Sequence, residues 1–229
     1  MKTIGLLGGM SWESTAVYYR QLNEAVRAKT GGLHSAKIIL ESVDFHDIHR
    51  FQHDQDWHTA GNYLADSAKR IEAAGADFLL LCTNTMHMVA PAIEEALTIP
   101  FLNLVDTTAA AIAKAGHDQI GLLGTRFTME QPFYRERLER QGIRVLTPDA
   151  DDRRIIHDII YKELCLGIIR PESQDRFIAI INTLTRAGAQ GVIAGCTEIG
   201  LLIGPDDLDV PLFDTTKLHI DAALQMAMD

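Results

Sequence analysis

The pentapeptide Ile4-Gly5-Leu6-Leu7-Gly8 occurs twice, the second time 116 residues later as Ile120-Gly121-Leu122-Leu123-Gly124. Three further elements recur in the same order. Ala74-Gly75-Ala76 returns as Ala187-Gly188-Ala189, Cys82-Thr83 as Cys196-Thr197, and Ile99-Pro100-Phe101 as Val210-Pro211-Leu212. Their offsets, 113, 114 and 111 residues, are nearly constant. The chain reads as two copies of one unit of about 115 residues, joined near Gly116-His117-Asp118. Two copies are too few for a solenoid and fit a pair of small domains, residues 1–116 and 117–229.

Within each copy short apolar runs alternate with longer amphipathic ones. Strands are expected at 3–7, 37–43, 78–82 and 101–104, then at 119–123, 144–146, 191–194 and 212–213. Helices are expected at 13–29, 59–73, 89–97 and 107–114, then at 129–140, 151–166, 172–186 and 217–226. Such alternation predicts an α/β fold: two tandem, pseudo-twofold-related domains, each with a mostly parallel sheet flanked by helices. The extreme C-terminal helix has the option of packing back on the first domain. Each Ala-Gly-Ala ends a helix just before an apolar strand, where glycine suits the helix terminus. Ligands of open α/β sheets sit beyond the carboxyl ends of strands. Cys82 and Cys196 each close an apolar strand there, and the repeat predicts equivalent strand positions for them.

Composition removes several classes of function. The formal charge is −10, with no basic run, which disfavours nucleic acid because its binding rests on neutralising phosphates. No apolar run approaches the roughly 18–20 residues of a membrane helix. The apolar start is too short for a signal peptide and runs into Gly8-Gly9, so a cytoplasmic location is expected. The three cysteines, Cys82, Cys165 and Cys196, cannot all pair with one another, and their spacing is not that of a structural zinc site. Cys165, inside an apolar helical pattern, reads as an inert core residue.

The two Cys-Thr turns carry the chemistry. If the copies face each other, Cys82 and Cys196 flank one cleft. Each precedes an expected helix start, whose free N–H groups lower a thiol pKa and bind a carboxylate. Thr83, Asn84 and Thr85 are short polar residues suited to capping and to donating hydrogen bonds. Two thiols on opposite faces of a bound carboxylate suit one reaction: one thiolate takes the α-proton and the other thiol returns a proton from behind.

At these residues the chain resembles the aspartate/glutamate racemase superfamily, pyridoxal-independent enzymes with tandem α/β domains and a cysteine pair. The likeness covers the whole chain. It rests on Gly8-Gly9-Met10-Ser11, Cys82-Thr83-Asn84-Thr85 and Gly195-Cys196-Thr197-Glu198. Glutamate racemases of cell-wall synthesis carry an Asp-Ser-Gly first motif and a histidine after the second Cys-Thr. Gly-Gly-Met-Ser and Glu198 make this chain more similar to the aspartate racemase branch and its broad-specificity amino-acid racemases. The resemblance implies Cys82 and Cys196 as the acid/base pair. It implies Thr83, Asn84, Thr85 and Thr197 at the α-carboxylate and amine, with Met10 and Gln52 completing the pocket. It implies a small amino acid as partner, no cofactor and no metal; a homodimer is compatible with it. Some members place a lysine near Glu163-Leu164 to meet a side-chain carboxylate. Here Lys162 precedes and Cys165-Leu166-Gly167 follow, which leaves the accepted side chain open.

Other signals compete. His46, His49, His53 and His58, with Asp44, Asp47, Asp54 and Asp56, form a polar stretch whose irregular spacing is not that of a zinc site. It reads as a lid or surface helix, and Gln52 within it has a solvated loop as its plain alternative. Gly5-x-x-Gly8-Gly9 is neither the dinucleotide fingerprint nor a Walker loop, and reads as a turn through which backbone approaches a small ligand. Two other functions remain open: a non-catalytic amino-acid binding module, or a related activity of the maleate isomerase, hydantoin racemase or arylmalonate decarboxylase type.

Overall fold

The computed structural model describes residues 1–229. The first apolar pentapeptide forms β1 (Ile4–Gly8), and all its residues are buried. α1 (Trp12–Thr30) follows, capped by the Ser11 hydroxyl, which accepts from the Ser14 N–H. Next come β2 (Ile38–Ser42), α2 (Phe45–His53), α3 (Trp57–Ala73), β3 (Phe78–Leu81), α4 (Ala90–Ala96) and β4 (Phe101–Leu102). The strands pair in parallel in the order β2-β1-β3-β4.

Parallel strands need crossovers, and the crossover helices bury both faces of the sheet. Alternate side chains divide between those faces. Leu7, Leu79 and Leu81 pack with Leu64, Ala68 and Ile71 of α3. Ile4, Leu6, Phe78, Leu80 and Cys82 pack with Tyr18 and Leu22 of α1. This double burial explains why β1 and β3 are apolar at almost every position.

The second copy follows α5 (Leu104–Lys114) and contains β5 (Gln119–Gly124), α6 (Arg126–Glu130), α7 (Pro132–Glu139), β6 (Arg144–Leu146) and α8 (Ala150–Lys162). α9 (Pro171–Arg186), β7 (Val192–Gly195), α10 (Ile199–Leu202), β8 (Leu212–Asp214) and α11 (Thr215–Met228) complete the chain. Its strand order, β6-β5-β7-β8, is that of the first copy, again fully parallel. Gly75 and Gly188 hold φ of 101° and 104° just beyond α3 and α9. That left-handed turn releases the chain into β3 and β7.

Four sequence expectations change. First, the two units divide at Leu104–Val105 rather than at 116–117; His219–Asp229 belong to the first unit, the packing left open for the C-terminal helix. Burial and pairing explain both. Val105, Thr108, Ala109 and Ile112 of α5 are buried, and Asp106 accepts from Arg137 Nε (2.8 Å), Arg137 Nη2 (2.7 Å) and Gln141 Nε2 (2.9 Å). Ile220, Ala223 and Ala227 of α11 join the cluster of Ile4, Leu6 and Tyr18. Second, the 129–140 helix is two helices, because Pro132 has no N–H to continue α6 and starts α7 instead. Third, α8 stops at Lys162 rather than 166, and a 3-10 turn, Leu164–Leu166, closes on Gly167 at φ 71°. Fourth, and in consequence, Cys165 lies outside the helix and is exposed rather than buried. Replacing Asp106 by alanine is expected to lower stability by about 1 kcal/mol, since the pair is part-exposed. A shift in the urea midpoint reads it.

Candidate functional site

In the first unit, the candidate residues gather where β1 and β3 end. Gly9 has φ of 91°, and a Cβ there would lie 2.2 Å from the Val43 carbonyl oxygen. A Cβ on Gly8 would lie 2.4 Å from the Thr15 side chain. Packing of protein on protein thus already requires glycine at both positions of the Gly8-Gly9 turn. Thr15 Oγ1 accepts from the Gly9 N–H at 2.8 Å and donates to the Ser11 carbonyl at 2.9 Å, fixing the turn to α1. Met10, from this turn, is buried with Leu7, Val43, Phe51 and Met86.

Cys82 directly follows β3. Its N–H donates to the Leu7 carbonyl at 2.9 Å, and its own carbonyl accepts from Ser14 Oγ at 3.3 Å. The side chain is fully buried. Thr83, Asn84 and Thr85 are buried as well, and Thr85 begins a 3-10 turn, Thr85–Val89. Gln52 sits on α2 rather than in a solvated loop; it is buried and donates from Nε2 to Met86 Sδ at 3.2 Å. The structure therefore brings Met10 and Gln52 together at Met86 of the Thr85–Val89 turn, while the Cys82 side chain packs on the α1 side of the sheet.

Sequence reasoning passed over His87. Its Nε2 accepts from the Leu104 N–H at 3.1 Å, so the ring proton is on Nδ1, which donates to the Thr83 carbonyl at 2.7 Å. A neutral, buried imidazole thereby ties the Cys82-Thr83 turn to the chain leaving β4. A histidine four residues beyond Thr83 was the available signal.

The second unit holds Cys196 and Thr197 just after β7. Here the expected equivalence of the cysteines is off by one residue. Leu7 pairs with Leu81, so Cys82 is opposite Gly8 in the ladder; Gly124, the counterpart of Gly8, pairs with Gly195. Cys196 is thus one step further along. Strands β3 and β7 correspond at an offset of 113 residues and the cysteines at 114. The extra step accompanies a difference in exposure, since Cys82 is buried and Cys196 only partly so.

Cys196 Sγ donates to Glu198 Oε2 at 2.8 Å, and Thr197 Oγ1 donates to the same oxygen at 2.7 Å. Glu198 is a second residue that the sequence did not single out as functional, although it follows the Cys-Thr pair directly. All three cysteines are free thiols. The helix starts beyond Cys82 and Cys196 do not lower their pKa values as expected. A 3-10 turn follows one and the four-residue α10 the other, too short for an appreciable dipole. Burial instead pushes the Cys82 thiol far up. Burial and then the Glu198 charge do the same to Cys196. Both rest as protonated thiols at neutral pH. No group of three or more His, Cys, Asp or Glu side chains converges to hold a metal ion. The His46–His58 stretch forms α2 and the start of α3, with Asp44 capping α2 and Asp56 capping α3. No helix is long and apolar enough to cross a membrane.

A family model described as Asp/Glu/Hydantoin racemase matches residues 7–223. The chain belongs to that family. A proposed Asp/Glu racemase from Yersinia pestis has a crystal structure that is 54% identical, covers 100% of both chains and superposes with a TM-score of 0.95. An aspartate racemase homologue from Pyrococcus horikoshii OT3 is 31% identical, again over 100% of both chains, with a TM-score of 0.89. A broad specificity amino-acid racemase from Bacillus subtilis is 23% identical over 221 residues, 93% of this chain and 92% of that one. The two crystal structures thus match the fold of the present chain over its full length, both parallel sheets included.

Proposed function

We propose that the protein is a pyridoxal-independent amino-acid racemase in which Cys82 and Cys196 are the acid/base pair. The observation that carries this reading is the recurrence of a free Cys-Thr pair beyond β3 and β7, equivalent central strands of two parallel sheets. Carboxyl ends of such strands are where α/β folds place ligands. Family membership supports it. A binding protein has no need of either thiol.

In the reaction one thiolate removes the α-proton of the bound amino acid and the other thiol protonates the opposite face of the carbon. The S–H bond formed on one side balances the one broken on the other, and the configuration inverts. The main barrier is the carbanionic intermediate, which hydrogen-bond donors around the α-carboxylate stabilise. Thr83, Asn84, Thr85 and Thr197 are the proposed donors, and Met10 and Gln52 the proposed pocket wall. Burial keeps both thiols protonated at rest, so one must lose its proton as substrate binds; the thiolate then formed is a strong base toward carbon.

The test is a panel of L- and D-amino acids in D₂O with no cofactor added, followed by NMR. Loss of the α-proton signal together with appearance of the other enantiomer is expected for at least one acidic or neutral amino acid. Binding without exchange across the panel rejects racemisation in favour of a binding module.

A further inference from the structure

Glu198 is held toward Cys196 by two donors converging on one oxygen, the Cys196 thiol at 2.8 Å and the Thr197 hydroxyl at 2.7 Å. Neither lysine nor arginine pairs with the carboxylate. Cys82 has no such arrangement: its side chain packs in the cluster of Ile4, Leu6, Tyr18 and Leu22, and burial is the one influence on its thiol.

We propose that Glu198 fixes a proton on Cys196, making Cys196 the resting acid of the thiol pair and leaving Cys82 to be the first base. The assignment deepens the racemase reading and rests on it. An ionised Cys196 would place a second negative charge beside a carboxylate already present, in a partly buried setting where like charges repel more strongly than in water. An S–H donor, by contrast, gives that carboxylate a hydrogen bond. Ionising Cys82 incurs the cost of burial but meets no fixed negative charge among its packed neighbours. Where the pair carries one thiolate, it therefore falls on Cys82. Glu198 acts through the thiol that it bonds, so it is a positioning residue.

The other titratable groups facing this corner leave the argument intact. Tyr161 of α8 packs against the same cluster as Cys196, with the His157 ring 4.6 Å from its own. Burial pushes the Tyr161 hydroxyl up to about 12, so it is neutral. Burial moves the His157 imidazole down. Cys165 belongs to the turn that packs on α10 and is a thiol. Asp214, near Gly200, is turned to its own helix start, accepting from the Thr216 N–H at 2.9 Å and the Lys217 N–H at 3.2 Å.

The decisive measurement is the pH dependence of iodoacetamide alkylation at Cys196, resolved by peptide mass spectrometry in the full-length protein. Its midpoint reports the thiol pKa, whereas a general loosening of structure changes the limiting rate. Relative to the wild type, Glu198→Gln should lower the midpoint by at least roughly one pH unit, the size of a neighbouring-charge effect. At pH 7 this appears as about tenfold faster alkylation. Glu198→Asp, which keeps the charge on a shorter arm, should stay within half that shift. Cys82, fully buried, should stay equally protected from alkylation in all three proteins. An unchanged Cys196 midpoint in Glu198→Gln, or an equal fall in Glu198→Asp, overturns the proposal. Should Glu198→Gln fail to fold, Glu198→Ala takes its place with the same supporting and rejecting outcomes. Racemisation is measured alongside. A wild type that exchanges no amino acid defeats the racemase reading and with it the acid/base assignment, while the alkylation midpoint still reports separately whether Glu198 controls the thiol.

Discussion

Changing either Cys82 or Cys196 to serine is expected to reduce racemisation by about 10²–10⁴-fold, the range of a positioned proton-transfer group. Serine keeps the size and hydrogen-bonding capacity of the site but is a far weaker base at neutral pH. Cys82 is buried among aliphatic side chains, so the exchange of sulfur for a hydroxyl there also carries a stability cost. Circular dichroism at the assay temperature separates that cost from lost chemistry. The two variants should differ in what remains. With one thiol left, the enantiomer whose α-proton faces it still exchanges with solvent but is returned without inversion. Each variant in D₂O should then label one enantiomer preferentially, and the opposite variant the other. Because the enantiomers have equal free energy in solution, kcat/KM must fall equally in both directions; only the label separates them. Full racemase activity in either variant rejects the two-thiol reading and favours a single-cysteine relative or a binding module.

Much of this fold was legible because its local and global signals agree. β1 and β5 begin with the same pentapeptide, and both copies end a long helix on Ala-Gly-Ala with glycine at positive φ. An apolar run too short for a helix, followed by such punctuation, leaves few options other than a buried parallel strand. Two kinds of information were not local. The division at Leu104–Val105 depends on which hydrophobic faces α5 and α11 find, and an amphipathic pattern does not name its partner. The one-step displacement of Cys196 shows only in the ladder, where Gly195 takes the position that Cys82 holds in the first copy. The site was legible as Cys-Thr pairs but not as a charge arrangement. Glu198 and His87 follow those pairs closely in sequence, yet their roles come from where turns aim their side chains. The thiol pKa values were expected to fall because helices were expected after both cysteines; α10 has only four residues, and burial dominates.

The second large effect concerns acid stability and a histidine outside the proposed chemistry. His219, fully buried on α11, donates from Nε2 to the Leu102 carbonyl at 2.8 Å and accepts at Nδ1 from the Tyr18 hydroxyl at 2.9 Å. That arrangement requires the neutral ring. Burial lowers its pKa from 6.5 to about 4, although the bond to Leu102 works in the opposite sense. Above pH 6.5 the ring is neutral whether the chain is folded or not, and contributes no pH dependence. As pH falls from 6.5 toward 4, the unfolded chain takes up a proton that the folded one refuses, and stability declines. For this shift the loss is about 2 kcal/mol at pH 5 and about 3 kcal/mol once pH is below 4. His157 shifts in the same direction, so acid sensitivity in this window is not due to His219 alone. His219→Gln isolates the effect, because glutamine cannot titrate while its amide can still donate to Leu102. The variant should be less stable than wild type at pH 7.5, having lost the fitted ring and its bond to Tyr18. Its deficit should shrink by about 2 kcal/mol, or reverse sign, by pH 5. Urea unfolding at a series of pH values measures the difference, with His157 cancelling between the two proteins. A deficit that stays constant from pH 7.5 to 5 would show that His219 takes up its proton as readily in the folded chain as in the unfolded one.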